Sequence, residues 1–86
     1  MIRKLEGRFV ESRIDGEAVL MQIDRGSFHG LKKSGLAIWE LIDGQRDRAA
    51  IISALMARYD VSRERCESDV DRFLERMREA GLVALD

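Results

Sequence analysis

The strongest constraint on this fold is a change of period. Up to about Leu31, apolar and polar residues alternate in short runs divided by turn signals; from about Ser34 the apolar residues recur every three to four positions. Period two belongs to strands and period 3.6 to helices. The switch falls within Ser27–Gly44, which begins as a strand, ends as a helix, and holds the only histidine and the only tryptophan. A chain with its strands in one half and its helices in the other is an α+β domain.

The strand half contains three candidates, at about 8–14, 18–23 and 27–31. In the first, Phe9, Glu11 and Arg13 share one face and Val10, Ser12 and Ile14 the other. Asp15-Gly16 comes next, a pair suited to the positive φ angles of a type I′ hairpin turn. The second strand, Ala18–Ile23, is apolar enough to be central, and Asp24–Ser27 makes the next turn. The prediction is a three-stranded antiparallel meander, too small to be stable without a helical layer on one face.

The helical half divides at about 34–43, 47–59 and 62–80. Ser34, Asp47 and Ser62 are candidate N-caps, and Gly44 and Gly81 candidate stops. The second helix carries Ile51, Ile52, Leu55, Met56 and Tyr59 as a core stripe, and the third carries Cys66, Val70, Phe73, Leu74 and Met77. One flank of that third helix holds Arg65, Asp69, Arg72 and Arg76: a solvated edge, or a row placed to meet something. Residues 1–7 read as a frayed lead-in, and Leu82–Leu85 as a short apolar tail packed on the core or added to the sheet. The 86 residues form a single domain, 1–86, with one core burying roughly 60–65% of its surface.

Composition excludes several functions. Net charge is −1, from 15 basic and 16 acidic residues, so nothing pulls the whole chain toward nucleic acid or an anionic membrane. The longest uncharged run, Ala49–Ala57, is far short of the roughly 20 residues of a membrane span. One cysteine allows no internal disulfide, and with no apolar signal segment the expected compartment is the cytoplasm. One His and one Cys without ligand spacing make no zinc site, and no phosphate-binding glycine loop is present. Cys66 lies on an apolar helix face, as a buried thiol does. Trp39 is expected in the core. His29 is either a half-exposed strand residue or a contact to a partner. With no catalytic constellation and no cofactor expected, the chain reads as a binding module: a winged helix that reads DNA, or a domain that captures a peptide.

The strand–helix junction and the helical half resemble the PqqD-like family, the recognition elements of ribosomal peptide biosynthesis. The matching residues are Phe28-His-Gly-Leu31, Gly35, Ile38-Trp39-Glu-Leu41 and Asp43-Gly44, then Ile51-Ile52, Tyr59-Asp-Val61, Asp69-Val70, Phe73-Leu74 and Gly81-Leu82. Lys32 stands where the family has Asn. The Pro-Glu pair of the quinone-cofactor members is missing, so the chain is most similar to the stand-alone B1 proteins of lasso peptide clusters. The resemblance implies a winged helix-turn-helix: a three-stranded sheet on three helices. It implies non-catalytic capture of a precursor leader peptide as a fourth strand between the third strand and the third helix, and delivery to a leader peptidase or other maturation enzyme. Carried over, Ser27, Phe28, His29, Gly30 and Leu31 supply the strand edge. Asp69, Val70, Phe73 and Met77 form the floor, and Arg72 and Arg76 meet acidic side chains. Gly30 lets the peptide backbone approach. On this basis Phe73→Ala or Arg76→Glu weakens binding and leaves the fold intact. No nucleic acid or membrane partner is expected, and the free chain is expected to be a monomer or a weak homodimer through its open edge. The other readings are a winged-helix DNA-binding protein and a PqqD-type chaperone of quinone cofactor synthesis.

Overall fold

The computed structural model describes residues 1–85; Asp86, with which the expected domain ends, lies outside the described residues. The elements in order are β1 (Ile2–Lys4), a 3₁₀ turn (Glu6–Arg8), β2 (Phe9–Ile14), β3 (Glu17–Gln22), β4 (Phe28–Leu31), α1 (Ser34–Glu40), α2 (Arg48–Arg58), α3 (Arg63–Glu79) and β5 (Val83–Leu85). Strands β2, β3 and β4 form the expected antiparallel meander with β3 in the centre. The three helices after them complete the expected α+β order. No helix among the described residues is long and apolar enough to cross a membrane.

Local chemistry explains most of the boundaries. Asp15 and Gly16 take φ of 51° and 77°, the pair of positive values the β2–β3 hairpin requires. The Asp47 side chain accepts from the Ala50 N–H at 2.9 Å and starts α2, and Ser62 accepts from Arg65 at 3.2 Å and starts α3. Gly81 lies just past α3 at φ 77°.

Three expectations give way. Ser34 is not the cap of α1: Lys33 occupies that position, at φ 54° and ψ −125°, with no side-chain cap bond. Helix α1 also ends at Glu40 rather than near Asp43. Leu41 and Ile42 bond back only three residues, and Asp43 turns its carboxylate onto the N–H groups of Gln45 and Arg46. Gly44, at φ 79°, donates its N–H to the Ile2 carbonyl instead of stopping a helix. Finally, the lead-in is a strand. Ile2, Arg3 and Lys4 pair antiparallel with Leu85, Ala84 and Val83, so the tail forms a second, two-stranded sheet with β1 and does not join the main one.

The core lies between the inner face of the main sheet and the helices. Phe9, Ala18, Leu20 and Leu31 meet Trp39 and Ile38 of α1, Ile51 and Ile52 of α2, and Val70 and Met77 of α3. Trp39 is fully buried. Its indole N–H donates to the Glu11 carboxylate at 3.1 Å, the Phe9 ring meets it edge-on at 5.3 Å, and the Lys4 ammonium lies over it. The helical layer against Trp39 therefore holds the sheet on one face. It leaves β4 at the margin, alongside α3.

Candidate functional site

Among the described residues β4 pairs with β3 alone, so its other side is an open sheet edge. The register decides which groups the edge presents. Gln22 donates its N–H to the Ser27 carbonyl at 2.8 Å, and the antiparallel partners continue as Met21–Phe28, Leu20–His29, Val19–Gly30 and Ala18–Leu31. Hydrogen-bonded and non-bonded pairs alternate in such a ladder. His29 and Leu31 therefore bond inward to β3, and the N–H and C=O groups of Phe28 and Gly30 face outward. Side chains alternate as well: Leu31 and His29 turn toward the helices, and Phe28, 69% exposed, lies on the far face of the sheet.

Helix α3 forms a wall beside this edge. Between them runs a groove of about 340 Å³, bordered by Gly30, Lys32 and Gly35 on one side and Asp69, Phe73 and Arg76 on the other. Phe73 touches the backbone turn at Gly35: a Cβ placed there would stand 3.6 Å from its ring. The groove opens past Ser34, Ile38 and Asp69 into a second hollow of about 260 Å³ with an apolar lining that includes Ala37, Leu55, Tyr59 and Val61. A larger hollow, about 550 Å³, lies apart from this edge at the chain ends, beside the Arg48–Asp71 ion pair.

Charge along the groove is graded. Asp69 lies 3.7 Å from Arg65 and 3.8 Å from Arg72 and shares its charge between them. Arg76, one turn on from Arg72, is exposed. His29 Nε2 lies 3.3 Å from Gln22 Oε1, and the Gln22 amide N–H in turn donates to the Ala80 carbonyl at the end of α3. Burial, then the charges of Arg76 and Arg25, push the His29 imidazole below its ordinary value of 6.5, so the ring is neutral at pH 7. Cys66 is buried beside the Ile52 carbonyl, and burial pushes its thiol up, the opposite of what a nucleophile needs. No group of three or more metal-ligating side chains occurs among the described residues.

The sequence-predicted residues separate into layers. Ser27, Phe28, His29, Gly30 and Leu31 do form the edge, but Leu31 is 2% exposed and contributes only backbone. Phe28 also contributes backbone, since its ring is on the other face. Asp69, Arg72, Phe73 and Arg76 line the groove. Val70 and Met77 do not: both are 0% exposed, one layer beneath the floor expected of them. Both belong to the core cluster that includes the inner face of the sheet. Gly35 and Ile38 line the groove, and Gln22 holds His29, without having been expected there. Gln22 carries a legible signal, because it shares the inward parity of Ala18 and Leu20 and is therefore a polar side chain on the core face.

Comparison with known proteins identifies the family. The family described as coenzyme PQQ synthesis protein D (PqqD) matches residues 17–83, from β3 to the start of β5. The chain belongs to the PqqD family. Two solved structures are similar to it. TbiB1, in complex with the TbiA(beta) leader peptide, is 32% identical over 88% of each chain, with a TM-score of 0.79. A lasso peptide synthetase B1 complexed with the leader peptide is 23% identical over 96% of each chain, with a TM-score of 0.80, and shares the PqqD fold. No curated protein sequence matches.

Proposed function

We propose that this domain recognises the leader segment of a ribosomally made precursor peptide. The leader is bound as a fourth strand along β4 beside α3 and handed to a processing enzyme, a leader peptidase in a lasso peptide pathway. The domain itself does no chemistry. The observation that carries this reading is the open edge of Phe28 and Gly30 lying against a groove with an apolar floor. An exposed edge is a liability that folded proteins usually cover, and here a helix stands beside it without covering it. Gly30 fits the same reading. Nothing lies within 4 Å of the place its Cβ would take, so packing within the chain does not ask for glycine there. The leader complexes of TbiB1 and of the lasso synthetase B1 support it.

Magnitudes assign the parts. Two outward residues offer four backbone hydrogen bonds, each worth about 0.5–1.5 kcal/mol net. Ordering a disordered segment costs about 2–5 kcal/mol. The edge thus roughly offsets the ordering cost, and net affinity comes from side chains. One apolar side chain buried in the groove or the adjoining hollow contributes about 1.5–3 kcal/mol. Backbone pairing makes the site tolerant of sequence, and the hollows and charges make it selective.

The test is a titration of the labelled domain with the synthetic leader of the precursor encoded beside it. Amide shifts are expected in Phe28–Leu31, Ser34–Ile38 and Asp69–Arg76, and an unchanged spectrum there would sink the proposal. Arg76→Glu weakens binding without changing the circular dichroism. Adding the domain speeds leader cleavage by the peptidase. DNA binding fares worse: the six acids on α3, from Glu64 to Glu79, outnumber its five arginines, so the helix offers a phosphate backbone no net positive charge.

A further inference from the structure

The border of the groove carries a cation without a counter-charge, and the turn before β4 carries a second. Arg72 has Asp69 at 3.8 Å. Arg76, one turn on, and Arg25, in the turn between β3 and β4, have no carboxylate partner among the described residues. Both bear electrostatically on His29, whose strand follows the Arg25 turn and whose partner Gln22 bonds to Ala80, one turn on from Arg76. Arg8 adds positive charge on the far flank, where its guanidinium and the Gln22 amide bound the space beside Gly81. No acid faces the ring from β3, where its neighbour is the neutral Gln22.

The hydrogen bonds assign the His29 tautomer. Gln22 spends an amide N–H on the Ala80 carbonyl, so its Oε1 is the atom near His29 and can only accept. His29 Nε2 therefore carries a hydrogen and donates. Nδ1 is left with a lone pair and no partner among the described residues. The ring is oriented from β3 and α3 together, with one nitrogen kept for something outside the chain.

We infer that Arg25, His29 and Arg76 form a carboxylate-reading site, and that the docked segment carries an Asp or Glu where its side chain turns toward α3 beside His29. The inference rests on the groove being a peptide site, as proposed above. Alternate residues of an added strand face the same side, so the acid falls two residues from a position facing the apolar floor at Phe73. A carboxylate seated beside His29 would gain from an imidazole and from the charges of two guanidinium groups, more than an ordinary exposed ion pair gives. A neighbouring carboxylate favours the imidazolium, and Nδ1 then donates to it. Binding takes up a proton, so affinity is highest below the free-state value of His29, itself under 6.5, and falls as pH rises through the bound-state value.

The experiment selects a displayed library of random twelve-residue peptides on the full chain and maps the best binder by amide shifts at β4. The expected outcome is enrichment of Asp or Glu in one register, two positions from an apolar residue. Changing that acid to its amide costs about tenfold on the wild type and under twofold on an Arg25→Gln, Arg76→Gln double variant. Affinity falls severalfold from pH 6 to pH 8, and His29→Gln, with circular dichroism unchanged, removes the slope. Binders that shift β4 with a neutral or basic residue in that register, and bind the double variant equally well, overturn the carboxylate site and leave the groove. A library that yields no peptide shifting β4 overturns the groove, and the carboxylate site with it.

Discussion

Replacing Gln22 with Met tests how the sheet is tied to α3. Gln22 is 2% exposed and is the one buried polar side chain among the described residues. It stands opposite Phe9 in the β2–β3 ladder, donates to the Ala80 carbonyl and accepts from His29. Methionine has a similar length and shape, so the substitution removes both hydrogen bonds and leaves little cavity. The part-buried Ala80 carbonyl, at the end of α3, then loses its donor, which costs about 1–3 kcal/mol. The His29 bond adds about 0.5–1.5 kcal/mol, reduced because the half-buried ring can turn to water. The more favourable burial of Met returns about 1 kcal/mol. The expected loss is about 1–3 kcal/mol, against a total of about 5–15 for a domain of this kind, and each kcal/mol lowers Tm by about 4–8 °C. Urea unfolding monitored by fluorescence of the fully buried Trp39 measures it directly. Hydrogen exchange is also expected to quicken at Ala80–Leu82, where the end of α3 is released. A variant within about 0.5 kcal/mol of the wild type, at an unchanged slope, refutes the claim that this side chain holds α3 to the sheet.

Single residues elsewhere carry their own expected outcomes. Lys33 sits at φ 54° and ψ −125°, a conformation that favours glycine, so Lys33→Gly stabilises the domain by about 1 kcal/mol in the same urea assay. Burial pushes the Glu11 carboxyl up, but hydrogen bonds from Arg13 and Trp39 and the charge of Lys4 outweigh it and hold it below its ordinary 4.5. The stability this gives is complete above that value and is lost as pH falls through the lower folded-state value, so Glu11→Gln flattens the acid limb of a Tm-versus-pH curve. Cys66, 4% exposed, is expected to stay unreacted with a thiol reagent in native buffer and to react at once in denaturant; rapid native labelling would show that the α2–α3 contact opens.

The features legible in the sequence have local causes. The hairpin at Asp15-Gly16, the caps at Asp47 and Ser62, and the stripes of α2 and α3 each depend on a few adjacent residues, and the structure contains them, except that Tyr59, expected to end the α2 stripe, lies past the helix in extended backbone and is exposed. The β1–β5 sheet depends on the two ends of the chain. Three-residue strands show no period, and Ile2 is a lone apolar residue whose burial needs Val83 and Leu85 brought from the other terminus. The start of α1 is misleading in sequence because Ser34 suits a cap by type, while the backbone at Lys33 makes a different turn. The error at the groove is one of depth. A helical wheel gives the direction of Val70, Phe73 and Met77, which share a stripe, but not how far each lies beneath the sheet. Phe73 reaches the rim beside Gly35, and the other two are fully buried.

That difference in depth decides which residues can report on binding alone. Phe73 is 6% exposed, packs against the α1 turn and lines the groove. Truncating it to Ala costs about 3–5 kcal/mol, enough to unfold much of a small domain, so the expectation that Phe73→Ala leaves the fold intact does not survive its burial. The exposed cations are different. Arg76 has no ion-pair partner among the described residues to lose, so reversing its charge touches the groove's field and not its packing. The backbone of Phe28 and Gly30 is different again, because no side-chain substitution removes those hydrogen-bonding groups. The fold therefore holds the apolar floor of the groove as part of its own core, and its cations and strand edge apart from it. If the groove takes a peptide, as proposed, its selectivity changes at Arg25, His29, Arg72 and Arg76 while the floor, tied to stability, stays fixed.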